Sequence, residues 1–308
     1  MLAEVIEMGD FKNKFSWSWS RRGTFEQCKR KYWLNYYGYW DGWFRDSEPR
    51  KRSLYVQKKL TTKPMWLGNC VHDAAEWALV ALGKGDFIDC DDMVDRVLMR
   101  ANRDIQSSEG GHNFRDPKRN CGFQEHYYGE GKELDWGPTL EEIERQVRNL
   151  YINPIFCRMF HVPERLREVE ILHLEQLGGY PVYVRLDALM DDGAGGLVII
   201  DWKTGKRHDG GVVARQLGIY GLYARDILGV PADKLKMVHV DLRENQFVTH
   251  KISEEMLAEA VATVKRSAGE MKLLTTPDNQ AEESDFPKLP IGDKACSFCS
   301  FRRDCDRE

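Results

Sequence analysis

Apolar positions recur at helical spacing in the first half of the chain and alternate in the second. Phe25, Cys28, Tyr32 and Tyr36 return every three or four residues, with Lys29, Arg30 and Lys31 between them. That spacing predicts a helix over 23–37. Residues 40–64 are polar and basic with no period and predict a loop or irregular lobe. Ala and Leu dominate 65–82, a helix from about Gly68 that Gly83 and Gly85 stop. Helical spacing returns at 91–106 and 138–160, around an irregular, Gly-rich and charged insertion at 107–137.

The period then changes to two. Residues 166–177 and 180–190 alternate, DDGAGG at 191–196 is a turn, and LVIIDWKTGK at 197–206 reads as a buried strand. Together they predict a β-meander. A helix over 212–228, a hairpin over 236–250 and a helix over 253–273 follow, then a Pro-spaced linker at 276–292 and a cysteine-rich tail. This order predicts an α/β fold with a mixed sheet flanked by helices. The divisions are a basic aromatic segment at 1–64, a helical region at 65–165, a core at 166–275 and a cysteine tail at 276–308, all in one compact domain.

Composition adds an asymmetry to this picture. The 308 residues carry a net charge of −4, yet residues 1–63 hold 14 Lys or Arg against 7 Asp or Glu, and six of the nine Trp lie before residue 67. Such a segment either tracks phosphates and stacks on bases, as single-strand binders do, or packs its rings and solvates its charges. Arg21, Arg22, Lys29, Arg30, Lys31, Arg45, Arg50, Lys51, Arg52, Lys58 and Lys59 are the candidate cations, and Trp17, Trp19, Trp33, Trp40 and Trp43 the candidate rings. The amino terminus lacks a secretory h-region, and no run reaches the ~18 apolar residues of a bilayer span. These features predict a cytoplasmic protein without a membrane partner. There, eight cysteines point to metal ligation before disulfides.

The turn at 191–196 carries a geometric consequence. Asp187 and Asp201 are nearly equidistant from its centre, so strands pairing across it set the two carboxylates opposite one another, with Cβ atoms about 4.5–5.5 Å apart. Carboxylates at that spacing repel unless a cation such as Mg2+ neutralises them. Period two puts Lys203 on the face of Asp201 and Trp202 on the other. The bland alternative is an ordinary ion pair on a surface hairpin. Gln216 and Tyr220, four residues apart, share a face of the next helix. Upstream, His72 lies inside the Ala/Leu-rich helix as a candidate third metal ligand.

Taken in order, Gly68-x-x-x-His72, Asp187, Asp201-x-Lys203 and Gln216-x-x-x-Tyr220 resemble the motifs of RecB-like PD-(D/E)XK nucleases, which include AddB nuclease domains and CRISPR-associated exonucleases. The resemblance implies a restriction-endonuclease-like core. It implies that His72, Asp187, Asp201 and the Trp202 carbonyl hold Mg2+ or Mn2+, that Lys203 positions the attacking water, and that Gln216 and Tyr220 contact substrate or support the site. It also implies a DNA nuclease acting on single strands or free ends, with a helicase or recombination partner. A non-catalytic DNA-binding subunit with a metal-clipped fold is the alternative.

The tail spells Cys296-x2-Cys299-x5-Cys305, one thiolate short of a four-cysteine site. Cys28 is the candidate fourth. Cys70, Cys90, Cys121 and Cys157 are scattered and read as small buried hydrophobes. The same resemblance implies a 4Fe–4S cluster on Cys28, Cys296, Cys299 and Cys305, joining a helical amino-terminal lobe to the carboxyl terminus. Lys29 stands where that family usually has proline. Zinc is the rival for four cysteines.

Overall fold

In the computed structural model, residues 12–129, 134–205 and 210–306 are described. The amino-terminal stretch 1–11, part of the insertion at 130–133 and the expected end of the buried strand at Lys206 lie outside them.

The chain opens with helices α1 (Trp19–Gln27), α2 (Lys29–Trp33), α3 (Pro49–Lys58), α4 (Lys63–Gly83) and α5 (Cys90–Glu109). Two single turns, α6 (His112–Arg115) and α7 (Gln124–Tyr127), precede α8 (Gly137–Ile152) and α9 (Pro154–His161). Strands β1 (Leu166–Val169), β2 (Leu172–Leu177), β3 (Tyr180–Arg185), β4 (Ala188–Asp191) and β5 (Leu197–Lys203) lead into α10 (Gly210–Asp226). The chain ends with β6 (Leu235–Asp241), β7 (Gln246–Lys251), α11 (Glu254–Lys272) and the short α12 (Lys294–Ser297). No helix among the described residues is long and apolar enough to cross a membrane.

Several expectations are corrected here. The helix over 23–37 is broken at Cys28, whose backbone is extended and whose sulfur accepts the Lys31 N–H at 3.3 Å. Beyond Trp33 the chain widens into a π-turn. The loop reading of 40–64 misses α3, which Pro49 starts at its first turn, where a missing N–H costs nothing. The single helix over 138–160 is two, because Asn153 turns extended ahead of Pro154 and caps α9. The meander is also two sheets. β2 and β3 pair alone, while the five-stranded sheet runs β1-β4-β5-β6-β7. The breaks fall at Glu170, in the left-handed region at φ 53, and at Leu186-Asp187 between β3 and β4.

In the larger sheet β5 and β6 are parallel, joined through α10, and the other pairs are antiparallel. Alternation along β5 separates two cores. Leu197 and Ile199 pack with α10 and α11, while Ile200 and Trp202 pack with α4, α5, α8 and α9. A third cluster of Leu34, Leu54 and Phe301, with Cys299 and Cys305 against it, ties the tail to α3.

Much of the amino-terminal aromatic set is packing. Trp17 is fully buried and its indole N–H donates to Ser267 at 2.9 Å. Arg21 lies 4.1 Å from the Tyr36 ring centre, Lys29 3.1 Å from Phe25 and Lys58 3.5 Å from Tyr39. Arg30 and Arg50 both pair with Glu283. These residues follow the packing alternative, with cation–π and ion-pair contacts inside the lobe.

Candidate active site

The hairpin β4–β5 pairs Ala188 with Ile200, so Asp187 stands one step beyond the last pair, level with Asp201. Its Oδ2 accepts the Trp202 N–H at 2.7 Å, which ties the start of β4 to β5 where the ladder stops. His72 arrives from α4. Gly68, one turn earlier, makes that approach possible: a Cβ there would meet Thr204 Oγ1 at 2.9 Å. His72 Nδ1 lies 3.7 Å from Asp187 Oδ2 and 3.3 Å from Glu170 Oε1.

Glu170 is one residue that the sequence did not point to. Its left-handed backbone turns its N–H onto the carbonyls of Leu186 and Asp187, at 3.1 and 3.2 Å. Its carboxylate, 7% exposed, also meets Arg185 Nε at 3.1 Å. His72, Glu170 and Asp187 offer ligand atoms all within 4.8 Å of one another, a spacing that suits one divalent ion.

Asp201 sits beside this group with different neighbours. It is 2% exposed, and Lys203 Nζ lies 2.9 Å from each of its oxygens. His239, a second residue the reading missed, approaches from β6 with Nδ1 3.5 Å from Oδ2. Gln216 Nε2 donates to the Tyr220 hydroxyl at 2.8 Å, and the Tyr220 hydroxyl is pushed well above its ordinary range by burial and by Asp201 and Asp187. Trp202 gives the cluster its N–H and buries its indole in the α4–α9 core.

The charges are unequal. Burial, reinforced by Asp201 and Glu170, pushes Asp187 up to about 7 against the pull of His72 and Lys203. Burial acts on Asp201 in the same sense, but contacts with His239 and Lys203 outweigh it and hold that carboxyl below its usual range. Burial would lower Lys203, yet Asp201 and Asp187 raise it, so its ammonium persists. Three crowded carboxyl groups, one forced to retain a proton, fit a site completed by a cation.

The sign follows from this. Without metal, the folded protein holds a proton on Asp187 from its ordinary 3.8 to about 7. That contribution to stability is present at low pH and lost as pH rises through about 7. A divalent ion must displace the same proton. The rise in Tm on adding Mn2+ is therefore expected to be larger at pH 8 than at pH 6, by differential scanning fluorimetry. An equal rise at both would show that Asp187 does not meet the ion.

The cysteines are arranged differently. Cys28, Cys296, Cys299 and Cys305 line one pocket with Leu34 and Leu289. Among the described residues, no three of them bring their sulfurs within the 4.8 Å that groups His72, Glu170 and Asp187. Burial pushes the buried Cys70 thiol up to about 12, as befits an inert core residue.

A family model described as the PD-(D/E)XK nuclease superfamily matches residues 16–306. Among solved structures, the crystal structure of SSO0001 is similar at 19% identity, covering 58% of this chain and 77% of that one, with a TM-score of 0.30. Likeness at that level bears on neither activity nor substrate. No curated protein matches the sequence.

Proposed function

We infer that the chain cleaves DNA, because it belongs to the PD-(D/E)XK nuclease superfamily, whose members are metal-dependent nucleases. The observation that carries the reading is the meeting of His72, Glu170 and Asp187 beside the Asp201–Lys203 pair. We assign the first three as holders of Mg2+ or Mn2+, with Asp201 and the Trp202 carbonyl completing the set. A bound divalent ion supplies a Lewis acid and an acidified water for phosphodiester hydrolysis. Lys203 keeps its proton, so it serves as a cation and donor to a phosphate oxygen and not as a base. Gln216 fixes the Tyr220 hydroxyl above the site, where it can orient a phosphate or a water. The RecB-like branch, with exonuclease action on single strands or ends and a helicase or recombination partner, is the finer reading the motif order supports.

Substrate contact falls to cations that line two clefts beside the aromatic lobe. Lys51 lines a cleft of about 790 Å³ with Lys12, Lys14, Trp33, Trp40 and Lys272. Arg45 lines another of about 770 Å³ with Trp43, Lys59 and Lys118. The two meet at the Trp40–Trp43 pair, 5.0 Å apart. Lysines beside half-buried rings suit a single strand, whose bases are free to stack. Reversing Lys51 and Lys272 to Glu is expected to weaken binding of a dT oligonucleotide about tenfold or more and to flatten its salt dependence. Unchanged affinity in polarisation titrations would assign these clefts to packing.

Four cysteines around one pocket support the iron–sulfur reading. The spacing of the three tail cysteines in sequence, with Cys28 lining the same pocket, is what supports a cluster over zinc. Backbone N–H groups of Lys31 and Phe301 point at Cys28 and Cys299 sulfurs, at 3.3 and 3.4 Å, although burial outweighs the Phe301 contact and holds the Cys299 thiol above its ordinary value. The domain reading stays that of one compact nuclease domain, in which such a cluster would join the basic aromatic segment to the cysteine tail.

The test is degradation of end-labelled single- and double-stranded DNA with Mg2+, Mn2+ or EDTA. Divalent-dependent loss of label is expected. No cleavage with either ion, by protein that still binds DNA, would leave the non-catalytic binding subunit as the reading.

A further inference from the structure

We propose that His239 is a positioning residue for Asp201, taking one carboxylate oxygen so that Lys203 is free to leave it for the substrate. The proposal rests on the nuclease reading and deepens it.

The placement comes from the sheet. β5 and β6 are parallel, and their register sets His239 beside Asp201 and Asp241 beside Lys203. Parallel register partners project from the same face, so the imidazole and the carboxylate are held side by side by backbone pairing. The sequence separates these residues by a whole helix, which is why neither motif nor spacing points to the pair.

Two buried polar atoms face each other there. His239 Nδ1 and Asp201 Oδ2 are both enclosed, and neither makes an aligned hydrogen bond among the described residues. They stand 3.5 Å apart. Asp201 Oδ2 has Lys203 Nζ at 2.9 Å, but without the alignment of a hydrogen bond. Buried polar atoms in native proteins find partners, and at 3.5 Å each of these two is the candidate partner of the other. The proton then lies on Nδ1, which donates to Oδ2, and Nε2 is left as an acceptor. His250, on the neighbouring strand β7, is the nearby basic group, held down by burial and by His239.

The consequence concerns Lys203. In the resting arrangement its ammonium lies 2.9 Å from both oxygens of Asp201, an ion pair that occupies the cation meant for the phosphate. When Lys203 departs, an ion held by Asp201 would satisfy one carboxylate oxygen and leave Oδ2, and a buried carboxylate oxygen left alone is costly. His239 is the donor for Oδ2. A hydrogen bond to Oδ2 also fixes the carboxylate plane.

The experiment compares His239→Leu with His239→Asn, whose amide nitrogen can donate from about the position of Nδ1. His239→Leu is expected to lower kcat about 10- to 100-fold and to raise the half-saturating Mn2+ concentration, the range found when partners of metal ligands are removed. The KM for DNA should not move, because His239 touches no substrate. His239→Asn should recover most of the loss. Wild-type kinetics in His239→Leu would overturn the proposal, and so would His239→Asn failing as badly as His239→Leu, which would make the residue packing alone. If the wild-type protein cleaves nothing, Mn2+ binding by calorimetry still decides. Weaker binding in His239→Leu than in His239→Asn supports the positioning role, and equal binding in all three proteins ends it.

Discussion

Replacing Lys203 with alanine is expected to slow DNA cleavage by about 100- to 1,000-fold, the usual loss when a donor to the transition-state charge is removed. Lys203 ends β5 on the face of Asp201, with its ammonium 2.9 Å away. Asp201 and Asp187 hold its proton in place against burial, so the loss reports a missing cation and not a missing base. Folding must be watched separately. Removing one partner of a buried pair costs about 3–5 kcal/mol when the other charge stays behind, and Asp201 is nearly inaccessible. Lys203→Ala is therefore expected to melt lower than wild type without metal and to regain part of the difference in Mn2+. Asp201→Asn removes the carboxylate charge and leaves the Lys203 ammonium without its acidic partner, so it should be equally inactive and should also melt lower than wild type. The measurement is single-turnover cleavage at matched folded fraction. A folded Lys203→Ala protein cutting at the wild-type rate would remove Lys203 from the mechanism.

How far the site could be read from the chain depends on how local each contact is. The level placement of Asp187 and Asp201 was legible because one turn, DDGAGG, fixes the register of β4 on β5, and a turn is a local signal. The face shared by Asp201 and Lys203 follows from the same period. Glu170 was hidden for the opposite reason. In sequence it continues an alternating run, and only its φ of 53 ends β1 and sends β2 into another sheet. That break is set by contacts with Leu186 and Asp187, sixteen and seventeen residues away. His239 was hidden by topology, since nothing in the sequence orders β6 beside β5. α3 was overlooked because polar residues dominate it, although Pro49 marked its start. The two readings of the aromatic lobe stayed open for a physical cause too: Lys and Arg beside Trp and Tyr can pair with one another as readily as with a nucleic acid. The residues that remain for a substrate come partly from α11, as Lys272 does, and composition could not nominate them.

Protein purified without oxygen is expected to be brown and to carry about four irons per chain, and Cys28→Ser is expected to bleach it. Three of the sulfurs lie within ten residues of one another in the tail, and the fourth is held where α1 and α2 part. The break in the helix at Cys28 has an account in this reading: an extended residue turns its sulfur toward the pocket that Cys296, Cys299 and Cys305 also line. By analogy with a disulfide, closing a loop of that length stabilises the fold by roughly 5 kcal/mol. Loss of the cluster should therefore loosen both ends together, seen as faster amide exchange in α2 and in the tail. The tail has other anchors. Tyr128 donates to the Ser300 carbonyl at 2.6 Å, Arg302 lies 3.5 Å from the Tyr128 ring centre, and Ser53 donates to Asp304 at 2.9 Å. The variant should thus melt lower without unfolding outright, and the sheet carrying Asp187 and Asp201 should keep some activity at low temperature. Cys90→Ser should change neither colour nor exchange, because Cys90 opens α5 away from the pocket. One zinc per chain with no iron would replace the cluster by a four-cysteine zinc site. Full metal retention in Cys28→Ser would remove Cys28 from the ligand set and leave the break between α1 and α2 to the cap its sulfur makes with Lys31.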